Sequence, residues 1–333
     1  MAEPETELRT GAAGNSEDKG DDDYRTPGSA VVDDEGNGGP CAEQDKPVSS
    51  KADPRNESRR RSDDVGWQKV EDVCEKLKNN QFKSVVVVTG AGISTAAGVP
   101  DFRSDDGIYK RLEKLNLPEP ESVFDISYFR NDPVPFYSLA QELSAFNYKP
   151  TFAHRLIKLL DDKGLLRRLY TQNIDGLDAA TGLSSDRIIE AHGSFSTASC
   201  IDCGGSATEQ AKEAIRQASV PYCTECEGLV KPDIVFFGES LPDKFYGNLT
   251  RDMESADLCL VIGTSLKVMP VASLPDTMAH SKHRVLINRE VAGSIGSRSR
   301  DVLALGEIED VVLEMAQLCG WLEELETMEI ARD

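Results

Sequence analysis

Large apolar residues recur along this chain in two rhythms. Trp67, Val70, Val73, Cys74 and Leu77 return at helical spacing from about Val65 onward. Residues 84–89 then form a valine run that ends at Gly90, the pattern of a strand buried on both faces. Similar runs follow at 165–171, 187–189, 234–237, 258–262 and 285–287, several closed by Gly, Asn, Asp or Ser. Val311, Val312, Met315, Ala316, Cys319 and Trp321 predict a last amphipathic helix, followed by a polar tail. Strands alternating with helices predict an α/β fold, a parallel sheet covered on both faces. Two stretches break the alternation. One, about 104–150, is rich in Pro and aromatic residues, with a helical pattern near 135–143. The other, about 195–231, holds paired cysteines. Both read as insertions that together build a smaller lobe.

Composition changes the picture at the N-terminus. Residues 1 to about 64 carry Gly, Ser, Pro, Asp and Glu with few large apolar groups, so they are expected to be a disordered acidic tail. Arg59, Arg60 and Arg61 at its end read as a solvated basic cluster, with nuclear import as the alternative. The whole chain carries a net charge of −21, which argues against broad nucleic-acid binding or docking on anionic membranes. No apolar run approaches the ~18 residues of a membrane span. The start lacks the features of a secretory signal or a mitochondrial presequence, so a cytoplasmic compartment, or also a nuclear one, is expected.

Four of the eight cysteines, Cys200, Cys203, Cys223 and Cys226, form two Cys-x-x-Cys pairs. That spacing predicts a closed, structural zinc site, against rival readings as a redox pair or as unligated thiols. Where the valine strand ends, Gly90, Ala91, Gly92, Ile93 and Ser94 precede Gly98 and then Asp101, Phe102 and Arg103. A glycine turn between strand and helix is how dinucleotide folds let backbone N–H groups reach phosphate. The displaced third glycine, and the lack of an acid after a second strand, argue against a hydride-transferring dehydrogenase. Thr171, Gln172, Asn173, Ile174 and Asp175 sit at a second strand end, and Glu190, Ala191, His192 and Gly193 at a third. Polar groups at the carboxyl ends of parallel strands mark the ligand crevice of an open sheet. His192, one of four histidines, is a candidate general base there.

Together with residues 231–239, 263–266 and 288–290, these blocks resemble the sirtuin family of NAD-dependent protein deacylases, in particular its animal cytoplasmic and mitochondrial branch. The resemblance covers about residues 65–321. It implies a Rossmann-like domain from about 65–104, 151–194 and 232–321, a zinc-binding and helical lobe from about 105–150 and 195–231, and a C-terminal tail at 322–333. It implies that Gly90, Ala91, Gly92, Ile93, Ser94, Thr95, Gly263, Thr264 and Ser265 serve the phosphates of NAD. Asn288, Arg289 and Glu290 would lie at the adenosine ribose, with Ile308 at the adenine. Gln172 would meet the nicotinamide-side ribose, and Asn173, Ile174, Asp175 and Asp101 the nicotinamide pocket. Phe102 would shield the reactive ribose, and Arg103 would order its loop.

In the family's chemistry the acyl-lysine oxygen displaces nicotinamide, and His192, with Asn173 in the catalytic set, activates the ribose hydroxyls. The products are free lysine and O-acyl-ADP-ribose. Val235 and Phe237 would line the lysine tunnel, while Gly238, Glu239 and Val268 would hold an extended peptide as an added strand. Tyr128 and Arg130 lack the Tyr-x-x-Arg spacing of branches that take acidic acyl groups, so acetyl is expected. Asp178 and residues 144–146 depart from close relatives. The implied partners are acylated proteins such as histones or tubulin-like substrates. Mono-ADP-ribosyl transfer and a non-catalytic acyl-lysine-binding module are the alternatives.

Overall fold

The computed structural model describes residues 64–102, 107–115, 117–144 and 148–329. The expected acidic tail, the Arg59–Arg61 cluster, Arg103 and most of the 144–146 departure therefore lie outside the described residues.

Six strands form one parallel sheet: β1 (Val85–Thr89), β2 (Leu166–Thr171), β3 (Ile188–Glu190), β6 (Leu258–Ile262), β7 (His283–Asn288) and β8 (Asp301–Leu305). Two further strands, β4 (Gly193–Cys200) and β5 (Val230–Ile234), pair antiparallel in a sheet of their own. The large sheet runs β3-β2-β1-β6-β7-β8. Counting only its own strands, that is the 3-2-1-4-5-6 order of a Rossmann-like doubly wound fold, with the switch point between β1 and β6.

Strand alternation divides the apolar side chains between two cores. Val85 and Val87, with Leu260, Ile262, Val285 and Ile287, pack beneath helices Asp64–Lys78, Phe152–Asp162 and Ile308–Cys319. Val86 and Val88, with Tyr170, Cys259, Val261 and Leu286, pack against helix Asp243–Ser255 and the segment that carries Leu274 and Met278. Every residue of β1 is buried, which is why its sequence shows no polar alternation. A pairing shift between Val85 and Val86 places one extra residue, Arg167, in β2, so Arg167 and Arg168 both reach the fully buried Asp252 at 2.8 Å.

A third core is aromatic. Phe124, Phe129, Phe136 and Phe236 meet mostly edge to face, joining helices Ile126–Asn131 and Val134–Ser144 to the β4–β5 pair.

Three elements differ from the sequence expectation. Residues 234–237 are not a parallel strand: the strand lies earlier, at Val230–Ile234, and the chain then leaves it to bridge Asp125 through Phe237. Ile234 and Phe236 fill the aromatic core instead of the sheet, while Val235 and Phe237 line a cavity. β8 went unread because short, polar residues precede it and helix Ile308–Cys319 follows almost at once. The supposed C-terminal tail holds a helix, Leu322–Thr327, whose Leu325 is fully buried against Phe152–Asp162 and Ile308–Cys319. With Leu322 and Leu325 set among three glutamates and a threonine, it reads as polar in sequence.

Candidate active site

A cavity of about 970 Å³ opens at the carboxyl ends of the sheet strands, across the switch point, and continues between the large sheet and the aromatic core. Its size is at the upper end of the ~300–1,000 Å³ found for small-molecule sites.

Its floor begins where β1 ends. Gly90 donates its N–H to Ile262 O at 3.2 Å and Gly92 donates to Gly263 O at 2.8 Å. A Cβ on Gly92 would stand 2.7 Å from Gly263 Cα, and one on Gly263 would stand 2.5 Å from Ile93 N. Those glycines therefore let two loops touch; their own N–H groups are occupied and do not reach for a ligand. Nor does a long helix follow, only the short 3₁₀ turns Ala91–Ile93 and Thr95–Ala97. The glycines of this turn thus serve close packing of the two loops, and not the phosphate contact that a glycine turn before a helix predicts. Ala91, Thr95, Thr264 and Ser265 face the cavity beside the turn, as does Ala96, which sequence reasoning passed over.

Ile93 and Ser94 are not cavity groups. Ile93 is a core residue, and Ser94 is fully buried behind the floor. There Ser94 Oγ donates to Asp175 Oδ2 at 2.6 Å and accepts from Asn173 Nδ2 at 3.2 Å. Asp175 also accepts the Leu177 N–H at 2.9 Å, and burial raises its pKa. His154, absent from the sequence-based candidates, stands at the back of this network with Nε2 3.5 Å from Ser94 Oγ. Its Nδ1 takes the Thr151 N–H at 3.2 Å, and burial pushes its pKa down to about 3, so it is neutral. Only the apolar helix face around it hinted at a buried histidine. Asn173 and Ile174 themselves line the cavity, with Asp101 and Phe102 opposite. Phe102 packs edge to face on Phe124 with ring centroids 6.0 Å apart.

His192 lies in the cavity wall between β3 and β4. Its Nδ1 is 3.0 Å from the Gln172 carbonyl. A carbonyl can only accept, so Nδ1 carries the proton and Nε2 presents a lone pair. Burial lowers the His192 pKa and the Gln172 carbonyl partly offsets that, which keeps the imidazole neutral near pH 7. The turn is possible only with Gly193, at φ 68°, because a Cβ there would lie 1.9 Å from Asp233 O. Gln172 is itself fixed, its Nε2 donating to Thr264 Oγ1 at 2.8 Å and Thr89 O at 3.1 Å.

At the far end Asn288, Arg289, Glu290 and Ile308 line the same cavity, joined by Glu307 and Glu309, which no sequence signal marked. Arg289 pairs with Glu307 at 2.9 Å, and Glu309 caps helix Phe152–Asp162 through the N–H groups of Phe152 and Ala153. Val235, Phe237, Gly238, Glu239 and Val268 form the other mouth, with exposed Met269. Val235 N donates to His192 O at 2.8 Å, which ties this mouth to the histidine.

Beyond the cavity, the sulfurs of Cys200, Cys203, Cys223 and Cys226 all lie within 4.8 Å of one another. Cys200 and Cys226 are 3.4 Å apart, Cys203 and Cys223 3.7 Å, close to the ~3.8 Å edge of a tetrahedron with ~2.3 Å Zn–S bonds. The N–H groups of Asp202 and Glu225 point at Cys200 and Cys223 sulfur, each at 3.4 Å, as suits thiolates. The set fits one zinc ion with no open position.

Such a crevice, with a neutral histidine on one wall and a closed thiolate cluster beside it, defines a nucleotide-binding α/β protein with a structural metal. Comparison narrows that class. The Sir2 family model matches residues 90–270. The chain is 49% identical over 261 residues to "NAD-dependent protein deacetylase hst2" of Schizosaccharomyces pombe, covering 78% of this chain and 79% of that protein. It is 55% identical to hst2-1 of Emericella nidulans, over 78% of this chain and 72% of that one. Against "NAD-dependent protein deacetylase sirtuin-3" of Mus musculus the figure is 45%, over 77% and 78%. This chain belongs to the Sir2 family. Identity to these fungal relatives exceeds that to the mouse one, so the animal branch is not singled out.

Proposed function

We propose that this chain is an NAD-dependent protein-lysine deacetylase that moves the acetyl group of an acetyl-lysine onto ADP-ribose and releases nicotinamide. The observation that carries this reading is His192. Its fixed tautomer turns a basic Nε2 into a cavity that also holds Asn173, the glycine turn and the peptide-side mouth. NAD supplies an electrophilic anomeric carbon with nicotinamide as its leaving group.

The chain's own residues divide the remaining work. Thr95, Thr264 and Ser265 bind the phosphates, and Asn288, Glu290 and Ile308 the adenosine. Asn173, Ile174 and Asp101 receive the nicotinamide amide, with Asp175 holding Asn173 in place through Ser94. Phe102 excludes water, and Val235 and Phe237 flank the lysine stem. His192 Nε2 takes a ribose hydroxyl proton, a role worth ~10²–10⁴-fold. Zinc at Cys200, Cys203, Cys223 and Cys226 maintains the β4–β5 fold and does no chemistry. Acetylated proteins are the substrates, with histones or tubulin-like proteins as candidates and the cytoplasm or nucleus as the compartment. Among the described residues no helix is long and apolar enough to cross a membrane.

NAD labelled in its adenosine half, incubated with the protein and an acetyl-lysine peptide, tests this. We expect the label on O-acetyl-ADP-ribose, and His192→Ala to lower turnover at least ~100-fold with NAD binding retained. Label on protein would instead establish ADP-ribosyl transfer. Unchanged NAD would exclude both.

A further inference from the structure

Lys231 begins the segment that forms the peptide-side mouth, yet its side chain points away from solvent and is only 7% exposed. Its ammonium group donates to Ile234 O at 2.6 Å and Pro232 O at 3.1 Å. It pairs with Glu239 Oε2 at 3.2 Å and lies 4.5 Å from the centroid of the Phe236 ring. The same Glu239 oxygen accepts the Phe236 N–H at 2.8 Å, and Glu239 N donates to Phe236 O at 3.0 Å. One ammonium and one carboxylate thus close residues 231–239 into a loop whose outer side, Val235 to Glu239, lines the cavity. Burial pulls the Lys231 pKa down and the Glu239 charge pushes it back up.

A buried ion pair is a poor device for stability alone, because desolvation consumes most of the Coulomb gain. A methionine of similar length would fill this space without that penalty. What the pair provides is shape. Four donor–acceptor contacts fix the path of the backbone between β5 and Gly238. Other anchors hold the loop from outside: Val235 N to His192 O, Phe237 N to Phe124 O at 2.7 Å and Ile126 N to Phe237 O at 3.1 Å. These set where the loop sits; none of them joins its beginning to its end.

Resting on the function proposed above, we infer that Lys231 is a positioning residue for substrate. It acts through Glu239 to hold residues 235–239 in the one conformation that receives the acyl-lysine peptide. It touches neither NAD nor the reacting atoms, so its loss acts on peptide binding and not on the chemical step.

The test uses the full zinc-loaded chain, with a fluorescent acetyl-lysine peptide for binding and the same sequence unlabelled for kinetics. Lys231→Met is expected to raise the peptide Kd and KM roughly ten-fold, the worth of about one charge-assisted hydrogen bond. The NAD KM, kcat at saturating peptide, and zinc content should stay within about two-fold. Glu239→Gln should weaken the peptide similarly, and the double variant should be no worse than either single one, since both break one pair. If Lys231→Met does not fold, Lys231→Gln, which stays polar but removes the charge, still reads the split between peptide and NAD. Additive losses, a fall in kcat with peptide KM unchanged, or loss confined to NAD would each overturn the inference. A wild-type chain that neither binds nor deacetylates the peptide would instead overturn the functional reading beneath it.

Discussion

Behind the catalytic wall, two buried groups titrate out of their normal range in opposite senses. Asp178 is fully enclosed, with Oδ1 lacking a partner among the described residues. Burial, then the Asp175 and Glu190 charges, raise its pKa from 3.8 to about 7. The folded state therefore keeps a proton that the unfolded chain releases, so this group's contribution to stability declines as pH rises from about 4 to about 7. His154 behaves the other way. Its pKa falls from 6.5 to about 3, so below pH 6.5 only the unfolded state gains the proton and stability is lost toward acid. Between about pH 4 and 6.5 the two slopes largely cancel. Asp178→Asn should remove one of them. We expect the variant to be more acid-sensitive than the wild type, the gap in unfolding free energy changing by up to ~1.4 kcal/mol per pH unit in that window. It should gain relative stability by pH 8. Thermal melts from pH 4.5 to 8 decide this, and parallel curves would show that Asp178 is ionised in the folded protein. The motif residue Asp175 was legible in sequence. The proton on Asp178 was not, because desolvation is a property of the packed interior.

Single elements show the same division. Two Cys-x-x-Cys turns are a local signal, readable without a fold, and the sulfurs do converge. What spacing could not tell is where they sit. Cys200 ends β4, and the second pair lies ahead of β5, so the cluster clamps the strand pair that leads to His192 on one side and to the loop at 235–239 on the other. Losing one thiolate should therefore unlock that pair. We expect Cys223→Ser to lose bound zinc, lower the melting temperature by several degrees, and reduce turnover by destabilising the wall and not by changing the chemical step. Metal analysis with calorimetry checks this; a zinc-free wild-type protein with the same melting temperature as the variant would refute it. The other two elements depart for separate reasons: the apolar run at 234–237 reports that a segment is buried but not against which core, whereas the acid-rich helix Leu322–Thr327 shows too few apolar residues to register as buried at all.

On the scale of the whole molecule, charge is the feature that remains outside the cavity. A net charge of −21 would favour a basic partner over an acidic one, and the acidic residues before Asp64 contribute to it. We propose that those residues are dispensable for catalysis, since they offer few apolar groups for docking on the catalytic domain. A chain beginning at Asp64 should match the full chain in kcat/KM for an acetylated peptide at both low and physiological salt. A faster truncated enzyme, with the gap closing as salt brings the Debye length to about 8 Å, would identify the tail as an electrostatic inhibitor.

The sequence by itself determined what local pattern encodes: the buried valine strand, the alternation that makes a doubly wound sheet, the thiolate turns, and the strand-end residues that meet in one cavity. Each depends on residue types a few positions apart. Tertiary structure alone decided how distant segments share atoms. It buried Ser94 against Asp175 and His154, and it filled the N–H groups of Gly90 and Gly92 with neighbouring carbonyls. It also fixed the His192 tautomer through the Gln172 carbonyl and closed the 231–239 loop with Lys231 and Glu239. Hydrogen bonds and desolvation act over a few ångströms, so which groups they join follows only after packing has brought the partners together.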